Sequence, residues 1–236
     1  MEEHIVTDSS GTFSRKVWLL RNPGEEPGRL CIFLDGEYYL KHLDAPAVLL
    51  ELQASGAVPP LTPVFVSNLD NEARHHDFAC NDDYAGYIID GVIPWICGTA
   101  GITDTENMFI GGLSLSGLAA AHIALNHPQF SRVLCQSGSF WWNAEWLTRE
   151  VEGRATVSGK YWVSVGNRET QFGINHAPSG MFQGVDQKSA CERLAETLNV
   201  HGAEVRYNLH EGAHETAPWK AELPEALLWL LGEASR

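Results

Sequence analysis

The sequence predicts an α/β fold, with a mostly parallel central sheet and helices on both faces. Three observations carry that prediction. Short continuous apolar runs, such as 30–34, 64–67 and 161–165, have the pattern of strands buried on both faces. Segments with helical spacing of apolar residues fall between such runs. Strand and helix then alternate along the chain, the order that produces parallel crossovers. A chain of 236 residues with 44% hydrophobic and 19% charged content can bury the core this fold needs, so residues 1–236 are expected to form one domain.

The elements follow in order. Residues 13–20 alternate enough to be a strand, followed by turns at Asn22-Pro23-Gly24 and Pro27-Gly28. The buried run 30–34 ends at Asp35-Gly36-Glu37, and 46–54 reads as a helix closed by Ser55-Gly56. After the strand at 64–67 comes a polar stretch, 68–83. Asp83 is placed to cap a helix carrying Tyr84, Tyr87, Ile88 and Val92, with Pro94 interrupting its last turn. Strands are expected at 107–110, 132–136, 161–165 and 205–209, and helices at 118–125, 191–200 and 223–231. In such sheets ligands sit beyond the carboxyl ends of the strands. The loops that matter therefore begin at Asp35, Ser67, Gly111, Ser137, Gly166 and His210.

The net charge of −14 argues against nucleic acid and anionic membrane surfaces as partners. The start, Met1-Glu2-Glu3-His4, lacks the apolar core of a secretory signal, and no run is long and apolar enough to span a bilayer. Five cysteines at 31, 80, 97, 135 and 191 are odd in number and lack metal-site spacing. They are expected to be reduced thiols in a cytoplasmic protein. The adjacent His75 and His76 with Asp77 read as a polar loop, so no metal or other cofactor is expected.

The chemistry is concentrated after the 107–110 strand. Two glycines, Gly111 and Gly112, lead to Ser114 and then to a small-residue helix, the pattern of a nucleophile elbow. The sharp strand-to-helix turn tolerates only small neighbours and sets the serine above a helix N-terminus, whose N–H groups suit a developing oxyanion. Ser116 stands where the pattern usually has a second glycine, which makes it a rival nucleophile. Serine needs a base, and the base needs an orienting carboxylate. The loop after 161–165 offers Glu169, and the loop after 205–209 offers His214. The order Ser114, Glu169, His214 is that of the α/β-hydrolases. His210 remains an alternative base and Asp186 an alternative acid. The oxyanion donors are expected from the backbone N–H of Leu115 and, after the 30–34 strand, of Glu37 behind Gly36.

Taken together, these residues resemble an esterase family of the α/β-hydrolases, and within it the catalytic domain of enterochelin (ferric enterobactin) esterases. The likeness runs from Leu34-Asp35-Gly36-Glu37 to the His214 loop. It includes Arg74-His75-His76-Asp77-Phe78-Ala79-Cys80-Asn81 and Val92-Ile93-Pro94-Trp95. Its most specific stretch is Cys135-Gln136-Ser137-Gly138-Ser139-Phe140-Trp141-Trp142. The resemblance implies hydrolysis of the ester backbone of a catecholate siderophore, with or without iron. Trp141 and Trp142 would stack on catechol rings, and Arg74 would face the negative charge of an iron complex or pair instead with Asp77. Only about ten residues precede the first predicted strand, so substrate contacts of the kind made by the N-terminal domain of the longer cytoplasmic relatives are not expected. Residues 170–187 match nothing in the family pattern and are a candidate loop over the site. A feruloyl-type or other acyl esterase, an acyltransferase of the same fold, and a binding module that has lost activity are the alternatives.

Overall fold

The computed structural model of the chain describes residues 1–21 and 27–232. Its centre is an eight-stranded sheet in the order β1-β2-β4-β3-β5-β6-β7-β10. The antiparallel edge is made by β1 (Glu2–Thr7) and β2 (Ser14–Leu19). The parallel part comprises β3 (Arg29–Phe33), β4 (Leu61–Val66), β5 (Met108–Leu113), β6 (Phe130–Gln136), β7 (Lys160–Gly166) and β10 (Glu204–His210). The apolar runs are buried on both sides, and period-two alternation divides them between two cores. Ile32, Ile110, Val133 and Val163 face one core, whereas Phe33, Phe109, Leu134 and Trp162 face the other.

Against the second core lie α1 (Gly36–Lys41), α2 (Ala45–Ala54) and the long C-terminal α9 (Thr216–Leu231). The first core is covered by α6 (Leu115–Asn126), α7 (Trp142–Glu152) and α8 (Gln187–Val200), together with the helical stretch before β5. That stretch follows α3 (Asn71–Asp77). It runs through α4 (Asp82–Gly86), a π-helical turn (Tyr87–Val92) and α5 (Ile93–Ala100). Asn81, not Asp83, caps it: its side-chain oxygen accepts from the N–H groups of Asp83 and Tyr84 at 2.9 and 3.2 Å. Pro94 does not end the helix. It lies in the first turn of α5, directly after the π turn, and the backbone stays helical through Val92 and Ile93.

Two features depart from the sequence reading. The N-terminal residues form β1, whose alternating exposure marks an edge strand. Residues 170–187 carry a small antiparallel hairpin, β8 (Ile174–His176) with β9 (Met181–Gln183), that stands apart from the main sheet. The turn expected at Asn22-Pro23-Gly24 lies outside the described residues. Among the described residues no helix is long and apolar enough to cross a membrane.

Candidate active site

β5 extends through both glycines to Leu113, and α6 starts at Leu115. Ser114 is thus the single residue of the turn, with φ 54° and ψ −120°. That is a region non-glycine residues avoid, at a cost of about 1–3 kcal/mol, and such strain clusters at active sites. Gly112 makes the turn possible: a Cβ there would lie 2.2 Å from the Ser116 carbonyl oxygen.

Ser114 Oγ lies 3.0 Å from His214 Nε2, and His214 Nδ1 lies 2.6 Å from Glu169 Oε2. These three residues come from the ends of β5, β10 and β7, the carboxyl edge of the parallel sheet. Glu169 is buried, and its second oxygen accepts from Ser137 Oγ and from the Gly166 N–H, each at 2.7 Å. Burial pushes the Glu169 carboxyl up, but the bonds from His214, Ser137 and Gly166 outweigh it and hold the group below its ordinary value. It is therefore the ionised partner an imidazolium needs.

The rival residues lie elsewhere. Ser116 is fully buried, and its hydroxyl is engaged by Asp35 and by the backbone of Leu113. His210 ends β10 in register with Gly166 and does not line the cavity at Ser114. Asp186 caps α8, accepting from the Ser189 N–H at 2.9 Å.

A cavity of about 390 Å³ opens at Ser114. Leu115 lines it, as does Arg74. Glu37 is not in its wall; its carboxylate accepts from the Ser67 hydroxyl and the Asn68 N–H. Arg74 is not paired with Asp77, as one reading of the sequence had it. It forms a two-pronged ion pair with Asp35, Nε at 2.9 Å from both oxygens and Nη2 at 2.7 Å from Oδ2, while Asp77 pairs with Arg15 at 2.5 Å.

The two tryptophans part company. Trp141 lines the cavity, with its indole N–H bonded to Gln187 and one ring face stacked on His176 at 4.8 Å and 15°. Trp142 does not line it and stands edge-on to Trp146 at 6.0 Å. The chain turns here through left-handed backbone at Asn143, Ala144 and Glu145, and only the first of the two rings reaches the cavity.

The hairpin closes one side of the cavity, with Ile174, His176, Met181 and Gln183 in its wall. It is held to α3 by the bond between His75 Nδ1 and Ser179 Oγ, 2.7 Å. Sequence reasoning also passed over Trp219, whose N–H donates to Ser137 Oγ at 2.9 Å and whose ring meets His214 edge-on at 4.9 Å. An aromatic residue one turn into the helix after the histidine loop was the available signal.

Comparison with known proteins bears on family and fold. The family model "Putative esterase" matches residues 14–230. The chain belongs to that esterase family. An iron(III) enterobactin esterase of Dickeya dadantii is 30% identical over 228 residues, which cover 92% of this chain and 52% of the relative. The chain thus spans about half the length of that relative. Among solved structures, an enterobactin esterase of Shigella flexneri superposes with a TM-score of 0.82 at 24% identity, over 97% of this chain and 58% of that one. The BES protein of Bacillus cereus gives 0.77 at 17% identity and is matched nearly end to end, over 99% and 96% of the two chains. The structural matches show the fold: an α/β-hydrolase.

Proposed function

We propose that residues 1–236 form a serine carboxylester hydrolase domain that works through an acyl-enzyme and cleaves the ester backbone of a catecholate siderophore. The observation that carries the hydrolase reading is the unbroken row Ser114–His214–Glu169 on a strained elbow. His214 Nε2 takes the proton as Ser114 Oγ attacks the acyl carbon. The tetrahedral oxyanion is held by the Leu115 N–H at the start of α6, beside Ser114 in the cavity wall. Collapse expels the alcohol with the proton from His214, and water then repeats the cycle to release the acid.

The siderophore reading is supported by the name of the Dickeya relative and by the cavity wall. Trp141 offers aromatic surface, and Arg74, Arg168, His75 and His176 offer positive or hydrogen-bonding groups to an anionic catecholate. A second reading, an ester with a single aromatic acyl group, is favoured by the presence of one indole rather than two in the wall.

The test is product analysis by liquid chromatography and mass spectrometry with enterobactin, its ferric complex and methyl ferulate, beside Ser114→Ala. Serine-dependent release of linear trimer and dihydroxybenzoyl-serine units is the expected result. Turnover of methyl ferulate alone would replace the siderophore with the second reading. A Ser114→Ala variant as active as the parent would overturn the mechanism.

A further inference from the structure

Ser116 takes the place where the elbow pattern has its second glycine, yet its side chain is fully buried and its hydroxyl is hydrogen-bonded. Its Oγ accepts from the Leu113 N–H at 2.9 Å and lies 2.8 Å from both the Leu113 carbonyl oxygen and Asp35 Oδ2. One hydroxyl proton therefore faces two acceptors, and the hydroxyl joins the residue before the nucleophile to the residue that follows β3.

Asp35 is the other end of that link. It is fully buried and holds φ 55° at the mouth of α1, a conformation aspartate tolerates only at selected turns. Besides Ser116, its carboxylate takes Arg74 Nε and Nη2 and, at 2.8 Å, Asn68 Nδ2. Arg74 Nη2 also reaches toward the Leu113 carbonyl, at 3.5 Å. The next residue, Gly36, is pressed against β4, where a Cβ would lie 3.0 Å from Phe65. The loop after β3 is thus held from below by β4, from one side by α3 and from the other by the elbow.

We infer that Ser116 is a positioning residue: through Asp35 and Arg74 it braces the elbow that carries Ser114 and Leu115, fixing where the Leu115 N–H points. The inference rests on the reading of the Leu115 N–H as an oxyanion donor. Its chemistry is specific. Oxyanion donors act only when they are aimed beforehand, and a donor that drifts stabilises the transition state less while leaving ground-state binding unchanged. A glycine at 116 would leave Asp35 without its bond to the elbow.

The test uses Ser116→Ala and Ser116→Gly in the full chain, measured well below their unfolding temperatures. The readouts are p-nitrophenyl acetate turnover per titrated active site and inhibition by a phenylboronic acid that mimics the tetrahedral intermediate. Removing an oxyanion donor outright costs roughly 10²–10³-fold in kcat, so a loosened one is expected to cost about tenfold. KM should stay within twofold, the boronate inhibition constant should rise in step with the fall in kcat, and fluorophosphonate labelling of Ser114 should persist. Asp35→Asn should give the same split, and Ser116→Ala added to it should cause no further loss. If both Ser116 variants keep kcat and boronate inhibition within twofold of the parent, the inference fails. It also fails if their loss disappears once active sites are counted, because that is a folding defect. Loss of labelling in Ser116→Ala with labelling kept in Ser114→Ala would instead overturn the catalytic reading on which the inference rests.

Discussion

Replacing Ser137 by alanine removes one donor from the buried Glu169 carboxylate that is hydrogen-bonded to His214. The Ser137 hydroxyl donates to Glu169 Oε1 at 2.7 Å and accepts from the Trp219 N–H at 2.9 Å, so Trp219 leaves it only one useful direction. A hydrogen bond to a charged group is worth about 1.5–3 kcal/mol, and one pKa unit corresponds to about 1.4 kcal/mol. The variant's Glu169 carboxyl should therefore rise from a position held below its ordinary value. It remains ionised at neutral pH, so activity falls but does not vanish. The less stabilised carboxylate binds the imidazolium more strongly, so the acid limb of kcat/KM moves to higher pH. The variant also strands the Trp219 N–H in the core, at about 1–3 kcal/mol. The two losses together, about 2.5–6 kcal/mol, lower the unfolding midpoint by roughly 5–24 °C in a chain of this size. Trp219→Phe should keep the edge contact with His214 and shift the acid limb less than Ser137→Ala does. The assay is the pH dependence of p-nitrophenyl acetate hydrolysis, read with thermal unfolding at pH 8. An unmoved acid limb in Ser137→Ala, with kcat within twofold of the parent, would refute the argument that this hydroxyl sets the charge balance of the pair.

Two further outcomes are expected. His122 is buried, bonded at Nε2 to Asp82 at 3.0 Å, and burial depresses its pKa to about 4 despite that carboxylate. Between the ordinary histidine value and 4 the unfolded chain binds a proton that the folded one does not, so stability should fall by up to about 3 kcal/mol over that window as pH drops. Denaturant titrations of His122→Leu at pH 7 and pH 4.5 should show that part of the slope removed. Trp141→Ala should raise KM for aromatic esters more than for short aliphatic ones, because the ring lines the cavity, whereas Trp142→Ala should leave both unchanged. Equal effects of the two substitutions would count against Trp141 as the aromatic contact.

The parallel strands were legible because burial on both faces leaves an uninterrupted apolar run, and 30–34 and 161–165 differ from the observed β3 and β7 by a residue at each end. β1 was not, since an edge strand with one wet face mixes Glu2, Glu3 and His4 into its pattern. The geometry places Ser114, His214 and Glu169 where a strand order and a motif had put them, for each follows a strand end. Partners fixed by three-dimensional packing alone were beyond sequence spacing. Arg74 and Asp77 are neighbours on one short helix, yet they face Asp35 and Arg15 in different directions.

The hairpin carries the same lesson into specificity. Residues 170–187 show no strong periodicity, because β8 and β9 are three residues each and use one face for the cavity. On that face His176 lies flat on Trp141 and bonds to Gln183 at 2.8 Å, and at the tip Ser179 holds His75. On the other face Phe182 is exposed, as is the adjoining Phe172. An aromatic substrate ring entering the cavity therefore meets a Trp141 whose one face is already taken. Stacking on that face requires displacing His176, which would also break its bond to Gln183. The hairpin is thus coupled to whatever occupies the indole. Substrate choice should respond to His176 and Ser179 as strongly as to the residues beside Ser114.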